Sequence, residues 1–247
     1  MHPVAAAGIG LLVIAVLLFM GWMGLADLWH HRLRRGVVVC GPARHEVALT
    51  FDDGPDPRYT PLLLDLLHEK QVPATFFLVS RRAQEQRVLV QRMMHEGHAI
   101  GCHSETHRHA WLLGPRATYR QVIDAGDHLQ QIAGRPIRYF RPPWGMFNAR
   151  TYRLARHRYE HVVLWNVEVR DWAERRTAEA IAQDLLRQVT DGAIVDLHDA
   201  GGAEEAPLRT IRALSEVLDT LRAEGYRFVT LDHWFAASDR GSIGGKF

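Results

Sequence analysis

The chain has 247 residues, 47% hydrophobic and 23% charged, with a formal net charge of +2. That length suits one α/β domain plus an appendage, and it can bury a core without disulfides. The near-neutral charge, with no basic stripe interleaved with aromatics, argues against nucleic acid or an acidic polymer as partner. Two cysteines, Cys40 and Cys102, are too few for a disulfide framework.

Residues 4–26, VAAAGIGLLVIAVLLFMGWMGLA, carry no charge, and about 20 apolar residues cross a hydrocarbon core as a helix. A core helix would show polar positions on one face, and a signal peptide would start with basic residues. Neither feature is present, although Gly24-Leu25-Ala26 could pass for a cleavage site. The sequence therefore predicts one transmembrane helix, with residues 1–35 forming the anchor and its basic flank. The flank, His30-His31-Arg32-Leu33-Arg34-Arg35, favours a cytoplasmic C-terminal side, a tendency that weakens for large translocated domains.

From 36 to 237, short apolar runs alternate with helical periodicity. Strands are predicted at 47–51, 74–79, 98–102, 137–140, 161–165, 193–197 and 227–231. Helices are predicted at 61–69, 83–96, 116–132, 177–189 and 207–224. Thr177 reads as an N-cap, while Gly97, Gly134, Gly192 and Gly225 read as helix stops. About seven β/α units favour a parallel barrel over an open sheet. Residues 238–247, SDRGSIGGKF, read as a flexible tail.

Five polar groups follow these strands, and in α/β barrels the C-terminal strand ends build the active site. The first is Thr50-Phe51-Asp52-Asp53-Gly54-Pro55. Gly-Pro ends the strand, so both carboxylates can converge on one ion, one ligating and one handling a proton; a turn or helix cap is the alternative. In His103-Ser104-Glu105-Thr106-His107, two imidazoles four apart share one side of a helical turn and can bind one cation. With Asp53 they complete a His-His-Asp set, with His109 a nearby competitor. Arg141-Pro142-Pro143-Trp144-Gly145 places an Arg and an aromatic on a rigid loop. Residues 165–172 end in Asp171-Trp172, and residues 193–199 carry Asp196, Leu197, His198 and Asp199. His198 with a carboxylate partner suits a proton donor, or else a structural histidine. Trp144 and Trp172 are candidates for a sugar-stacking rim, whereas Trp111 and Phe147 are expected to pack in the core.

Taken in this order, the five groups resemble the polysaccharide deacetylase (NodB-homology) family, carbohydrate esterase family 4, over residues 47–231. The resemblance implies a distorted (β/α)7 barrel and a metal-dependent N-deacetylase acting on an N-acetylated envelope or extracellular glycan, peptidoglycan or chitin-like. It implies Asp52 as general base, and Asp53, His103 and His107 as ligands of Zn²⁺, Co²⁺ or another divalent ion. Arg141 would tune Asp52, and His198 would be the general acid, oriented by Asp171. Trp144, Trp172, Asp196 and Leu197 would contact substrate, and backbone N–H near Trp144 would hold the oxyanion. A cell-wall substrate would also require the anchored catalytic domain to lie outside the cytoplasm, against the basic flank; no protein partner is expected.

The chain departs from the family pattern at Asp196, where the family usually has a Leu lining the acetyl methyl pocket. Residues two apart on a strand share a face, so Asp196 is expected to look into the site with His198. This keeps another N-acyl or small-amide substrate open. Glu168 also stands where a shorter acid is common. A non-catalytic glycan-binding role is the remaining reading, and the complete residue set speaks against it.

Overall fold

The computed structural model describes residues 36–241 continuously, with side chains through Ala236, and a few positions between residues 9 and 21. The expected span 4–26 thus lies largely outside the described residues. Among the described residues, no helix is long and apolar enough to cross a membrane. Eight parallel strands form one curled sheet: β1 (Glu46–Asp52), β2 (Thr75–Leu78), β3 (Ala99–Cys102), β4 (Tyr139–Phe140), β5 (His161–Val162), β6 (Val167–Glu168), β7 (Ala193–His198) and β8 (Arg227–Phe228). Their order is β5-β4-β3-β2-β1-β7-β6, with β8 beside β1.

The barrel is therefore a partial one. No ladder among the described residues joins β5 to β6, so the expected distorted barrel is open on that side. In the run predicted as one strand, 161–165, only His161–Val162 pairs with β4. Without an intervening helix the chain then crosses to β6, where Asn166 exchanges backbone hydrogen bonds with Ile194 through its own N–H (3.2 Å) and its side-chain oxygen (2.8 Å). Val38 bridges Val163 at the other edge and ties the start of the domain to the sheet.

Helices cover the outer face, α1 (Thr60–Glu69), α2 (Ser80–Glu85), α3 (Arg87–His95), α4 (Pro115–Tyr119), α5 (Ala125–Ala133), α6 (Ala149–Arg158), α7 (Ala178–Gln188) and α8 (Ala206–Ala223), while α9 (Leu231–Gly241) packs under the barrel interior. A π-helical turn, Arg120–Asp124, joins α4 to α5. The N-cap reading of Thr177 holds, since its side chain accepts from Ala180 N–H at 3.2 Å. Gly134 is a left-handed helix cap. Gly192 lies four residues past α7 and instead turns the chain into β7, with its own N–H on Glu46 O. The backbone of α9 remains helical through Gly241, so the first part of the expected flexible tail is helical, while 242–247 lie outside the described residues. Cys40 and Cys102 are both free.

The two-residue period of the central strands sorts their side chains. On β1, Val47, Leu49 and Phe51 point to the helical layer, as do Ala193, Val195 and Leu197 on β7. The opposite faces of the two strands line the barrel interior in levels. Ala48 and Ile194 belong to an apolar floor closed by Leu231 and Trp234. Above them Thr50 stands beside Asp196, and at the strand ends Asp52 stands beside His198. The interior thus changes from oil to acid–base chemistry over three levels.

Candidate active site

The upper levels open into a cavity of about 760 Å³, lined by Asp52, Asp53, His103, His107, Trp144, Trp172, Asp196 and His198 among others. Asp52 and Asp53 are brought to one place because the strand ends between them and Asp53 takes a left-handed backbone, φ 75°. Gly54 follows because a Cβ there would lie 2.2 Å from the Asp199 carboxylate. His103 and His107 converge differently from the expected helical turn. Their segment is a loop in which Ser104 and His107 take positive φ (71° and 52°), and Ser104 Oγ accepts His107 N–H at 3.0 Å. Gln121, buried in the π-helical turn, secures that loop through both backbone and hydroxyl of Thr106 (3.0 and 2.8 Å). π turns commonly sit at functional sites. Asp53, Ser104, His107, Trp144 and Arg170 all hold positive φ around this cavity, a concentration of backbone strain typical of working sites.

Asp53, His103 and His107 each offer a ligand atom, all within 4.8 Å of one another. His107 Nε2 lies 2.9 Å and His103 Nε2 3.6 Å from Asp53 Oδ1, where a tetrahedral Zn²⁺ site would space its donors roughly 3.4 Å apart. Asp53 Oδ1 is enclosed yet accepts no well-formed hydrogen bond, as expected of an oxygen aimed at a shared ion. His103 donates Nδ1–H to Arg141 O at 2.8 Å, which fixes its tautomer and turns the Nε2 lone pair inward. Burial pushes the His103 pKa down to about 4, so the ring is neutral and able to ligate. Burial would raise Asp53, but His107, His103 and His198 outweigh it and hold the carboxyl below the usual range. These residues fit a divalent cation. His109 does not join them: its Nδ1 accepts Trp111 N–H, and its ring packs on Trp144 at 5.1 Å.

Arg141 is fully buried. Its Nη1 donates to Asp52 Oδ1 at 2.7 Å, Thr50 Oγ1 at 2.8 Å and Asp196 Oδ1 at 3.1 Å, and Nη2 to Leu164 O at 3.2 Å. One guanidinium thus bonds two buried carboxyls while carrying charge enough to balance only one. Burial and repulsion from Asp52 push the Asp196 pKa well up. At the end of β7, His198 Nδ1–H donates to Asp171 Oδ1 at 2.8 Å, while Asp171 Oδ2 accepts from His198 N–H and from Thr210 Oγ–H. Burial works against the imidazolium, but Asp171 outweighs it and the His198 pKa rises well above its ordinary value. The ring is a proton donor whose Nε2 is left for the cavity.

Trp144 and Trp172 are 51% and 38% exposed at the mouth, and Trp144 packs on His107 at 4.3 Å. Phe147 is buried, and the Trp111 indole donates to its carbonyl. Within the Pro143–Gly145 turn, Gly145 and Met146 N–H are bonded to Pro142 and Pro143 carbonyls, leaving the Trp144 N–H without a described acceptor.

One expected contact fails. Leu197 is wholly buried among the residues facing the helices and does not line the cavity, because neighbours on a strand face opposite ways. Sequence reasoning missed Thr50, which shares Asp52's face two residues earlier and was therefore findable. It also missed Arg82, whose Nη1 donates to Asp53 O at 2.6 Å on the cavity wall; no sequence signal marks that residue. Asp199 is buried against Thr60, and burial pushes its pKa up to about 7.

A parallel α/β half-barrel that gathers a His-His-Asp cluster, a carboxylate and a proton-donating histidine in one cavity suits a hydrolase, and the comparisons agree. The polysaccharide deacetylase family profile matches residues 41–162. A peptidoglycan-N-acetylglucosamine deacetylase of Bacillus cereus is 36% identical over 187 residues, 75% of this chain and 85% of that one. A chitooligosaccharide deacetylase of Rhizobium leguminosarum is 36% identical over 191 residues, 73% and 83% of the two chains. The crystal structure of the Bc1960 peptidoglycan N-acetylglucosamine deacetylase superposes with a TM-score of 0.76 at 30% identity, covering 84% of this chain and 95% of that one. The chain belongs to the polysaccharide deacetylase family.

Proposed function

We propose that this protein removes acetyl groups from N-acetylated amino sugars of an envelope or extracellular glycan, peptidoglycan or chitin-like, with a divalent ion held by Asp53, His103 and His107. The observation that carries this reading is that Asp52 and His198, register partners at the ends of β1 and β7, line one cavity together with that cluster. When bound, the ion supplies Lewis-acid polarisation of water and of the amide carbonyl; Zn²⁺ suits the His-His-Asp donor set, and Co²⁺ can stand in. Asp52, aimed by the hydrogen bond from Arg141, accepts a proton from the attacking water. The Trp144 N–H, without an acceptor among the described residues, would donate to the developing oxyanion. His198, charged through Asp171, then protonates the departing sugar amine, without which an amide leaves poorly. Trp144 and Trp172 offer faces for pyranose rings at the mouth.

The assay is free-amine release from N-acetylglucosamine oligomers and peptidoglycan by the full chain loaded with Zn²⁺ or Co²⁺. Turnover lost in Asp52→Asn supports the reading; no release from any of these glycans, with metal shown to be bound, refutes it. Asp196 favours a second reading, a different N-acyl group on the same barrel. For residues 4–26 we propose a retained single-pass anchor with the catalytic domain outside the cytoplasm. Extraction of the chain by alkaline carbonate, or protection of the domain from protease in intact cells, would count against that placement.

A further inference from the structure

Resting on the deacylase reading above, we propose that Asp196 makes the inner end of the cavity a site for a hydroxyl-bearing acyl group, so that N-hydroxyacetyl amino sugars are preferred over N-acetyl ones. The direction of the acyl group follows from the fold. A sugar that belongs to a chain must leave through the mouth, where Trp144 and Trp172 are exposed. Its nitrogen must lie by His198, and its carbonyl carbon between Asp52 and the ligand cluster. The acyl substituent is then left to point inward, along the interior face of β7. There the next side chain below His198 is Asp196, one pleat repeat or about 7 Å deeper, enough for a two-carbon acyl group.

The chemistry at that level is specific. Thr50 is satisfied, donating to Val195 O at 2.6 Å and accepting from Arg141. Arg141 spends its terminal nitrogens on Thr50, Asp52, Asp196 and Leu164, and its Nε is sealed from the cavity. Asp196 is only 3% exposed, gives one oxygen to Arg141 and lines the cavity. No donor among the described residues reaches its second oxygen. Leu164, Trp165 and Met146 add apolar surface to the cavity wall. An acetyl methyl against that oxygen leaves a buried polar atom unmet, which is unfavourable. A hydroxyl on the α-carbon meets it in either protonation state, donating to a carboxylate or accepting from a carboxylic acid.

The reaction is otherwise unchanged and balanced. Water adds to the carbonyl carbon and gives its proton to Asp52; the C–N bond breaks; the amine takes a proton from His198; hydroxyacetate is released in place of acetate.

The test compares kcat/KM of the full metal-loaded chain on N-glycolyl- and N-acetylglucosamine oligomers of equal length, for the wild type and Asp196→Leu. The wild type should favour the glycolyl sugar by about tenfold or more, the scale of one hydrogen bond to a charged group. Asp196→Leu should lose that preference, the ratio of the two kcat/KM values falling to about one or below. A wild-type ratio at or below one, or a ratio that Asp196→Leu leaves unchanged, overturns the proposal while the deacylase reading stands. Absence of turnover on both sugars, with metal bound, overturns both. Should Asp196→Leu fail to fold, product inhibition of the wild type decides: hydroxyacetate must inhibit more tightly than acetate, and equal inhibition overturns the proposal.

Discussion

Replacing Asp171 by Asn probes the proton donor without removing it. Asp171 is buried, and its Oδ2 holds His198 N–H at 2.9 Å and Thr210 Oγ–H at 2.8 Å. The Asn oxygen can keep both contacts, so its NH₂ must face His198 Nδ1, where Oδ1 now accepts at 2.8 Å. Two donors would then confront each other unless the ring gives up its Nδ1 proton. The imidazolium is lost, and neutral imidazole is a poor acid. The contribution at stake is that of a general acid, about 10²–10⁴-fold in rate, or roughly 3–5 kcal/mol of barrier. We expect kcat/KM on N-acetylglucosamine oligomers to fall by that factor. The alkaline limb of its pH profile should move to lower pH, because Asp171 is what holds the His198 pKa up against burial. Zinc affinity and thermal stability should change little. A loss under about threefold, with the alkaline limb unmoved, would refute the assignment of His198 as an acid dependent on Asp171.

Three further outcomes are expected. Asp53→Ala removes the carboxylate shared by both imidazoles, so calorimetric zinc titration should show a large affinity loss and turnover should vanish; wild-type affinity in this variant would contradict the ligand set. Arg141→Met leaves the Asp52 and Asp196 carboxyls buried without their cation. Removing one partner of such a network costs about 3–5 kcal/mol, measurable by urea denaturation, and a change under about 1 kcal/mol would contradict the pairing. Burial holds His98 down to about 4, against 6.5 when unfolded. The unfolded chain therefore takes up this proton first as pH falls, so stability is complete above 6.5 and is lost progressively towards pH 4. The size is roughly 3 kcal/mol. His98→Gln should flatten that slope of urea-derived stability against pH, and an unchanged slope would show that His98 does not report it.

Most of the central machinery was legible in the chain. Strand-ending polar residues mark an active face wherever parallel strands run with helices between them, so Asp52, Asp53, His103, His107, Arg141 and His198 could be named together. The inward direction of Asp196 followed from the same two-residue period that should have excluded Leu197. The missing barrel closure was not legible, because the apolar run 161–165 looks the same whether it pairs throughout or breaks after Val162 and crosses directly to β6. Nor was the loop of His103 and His107: four-residue spacing fits a helical turn, and only the positive φ of Ser104 and His107, held by Gln121 from a distant π turn, shows otherwise.

What the sequence alone determined is the order of chemical groups and the face each strand residue takes, since both depend on local periodicity. Tertiary structure decided how those groups share partners. That one guanidinium serves both Asp52 and Asp196, and that one oxygen of Asp196 is left looking into the cavity, depends on strands 89 and 55 residues from Arg141 being laid side by side. Hydrogen bonds and screening act over a few ångströms, and only the folded chain sets distances on that scale.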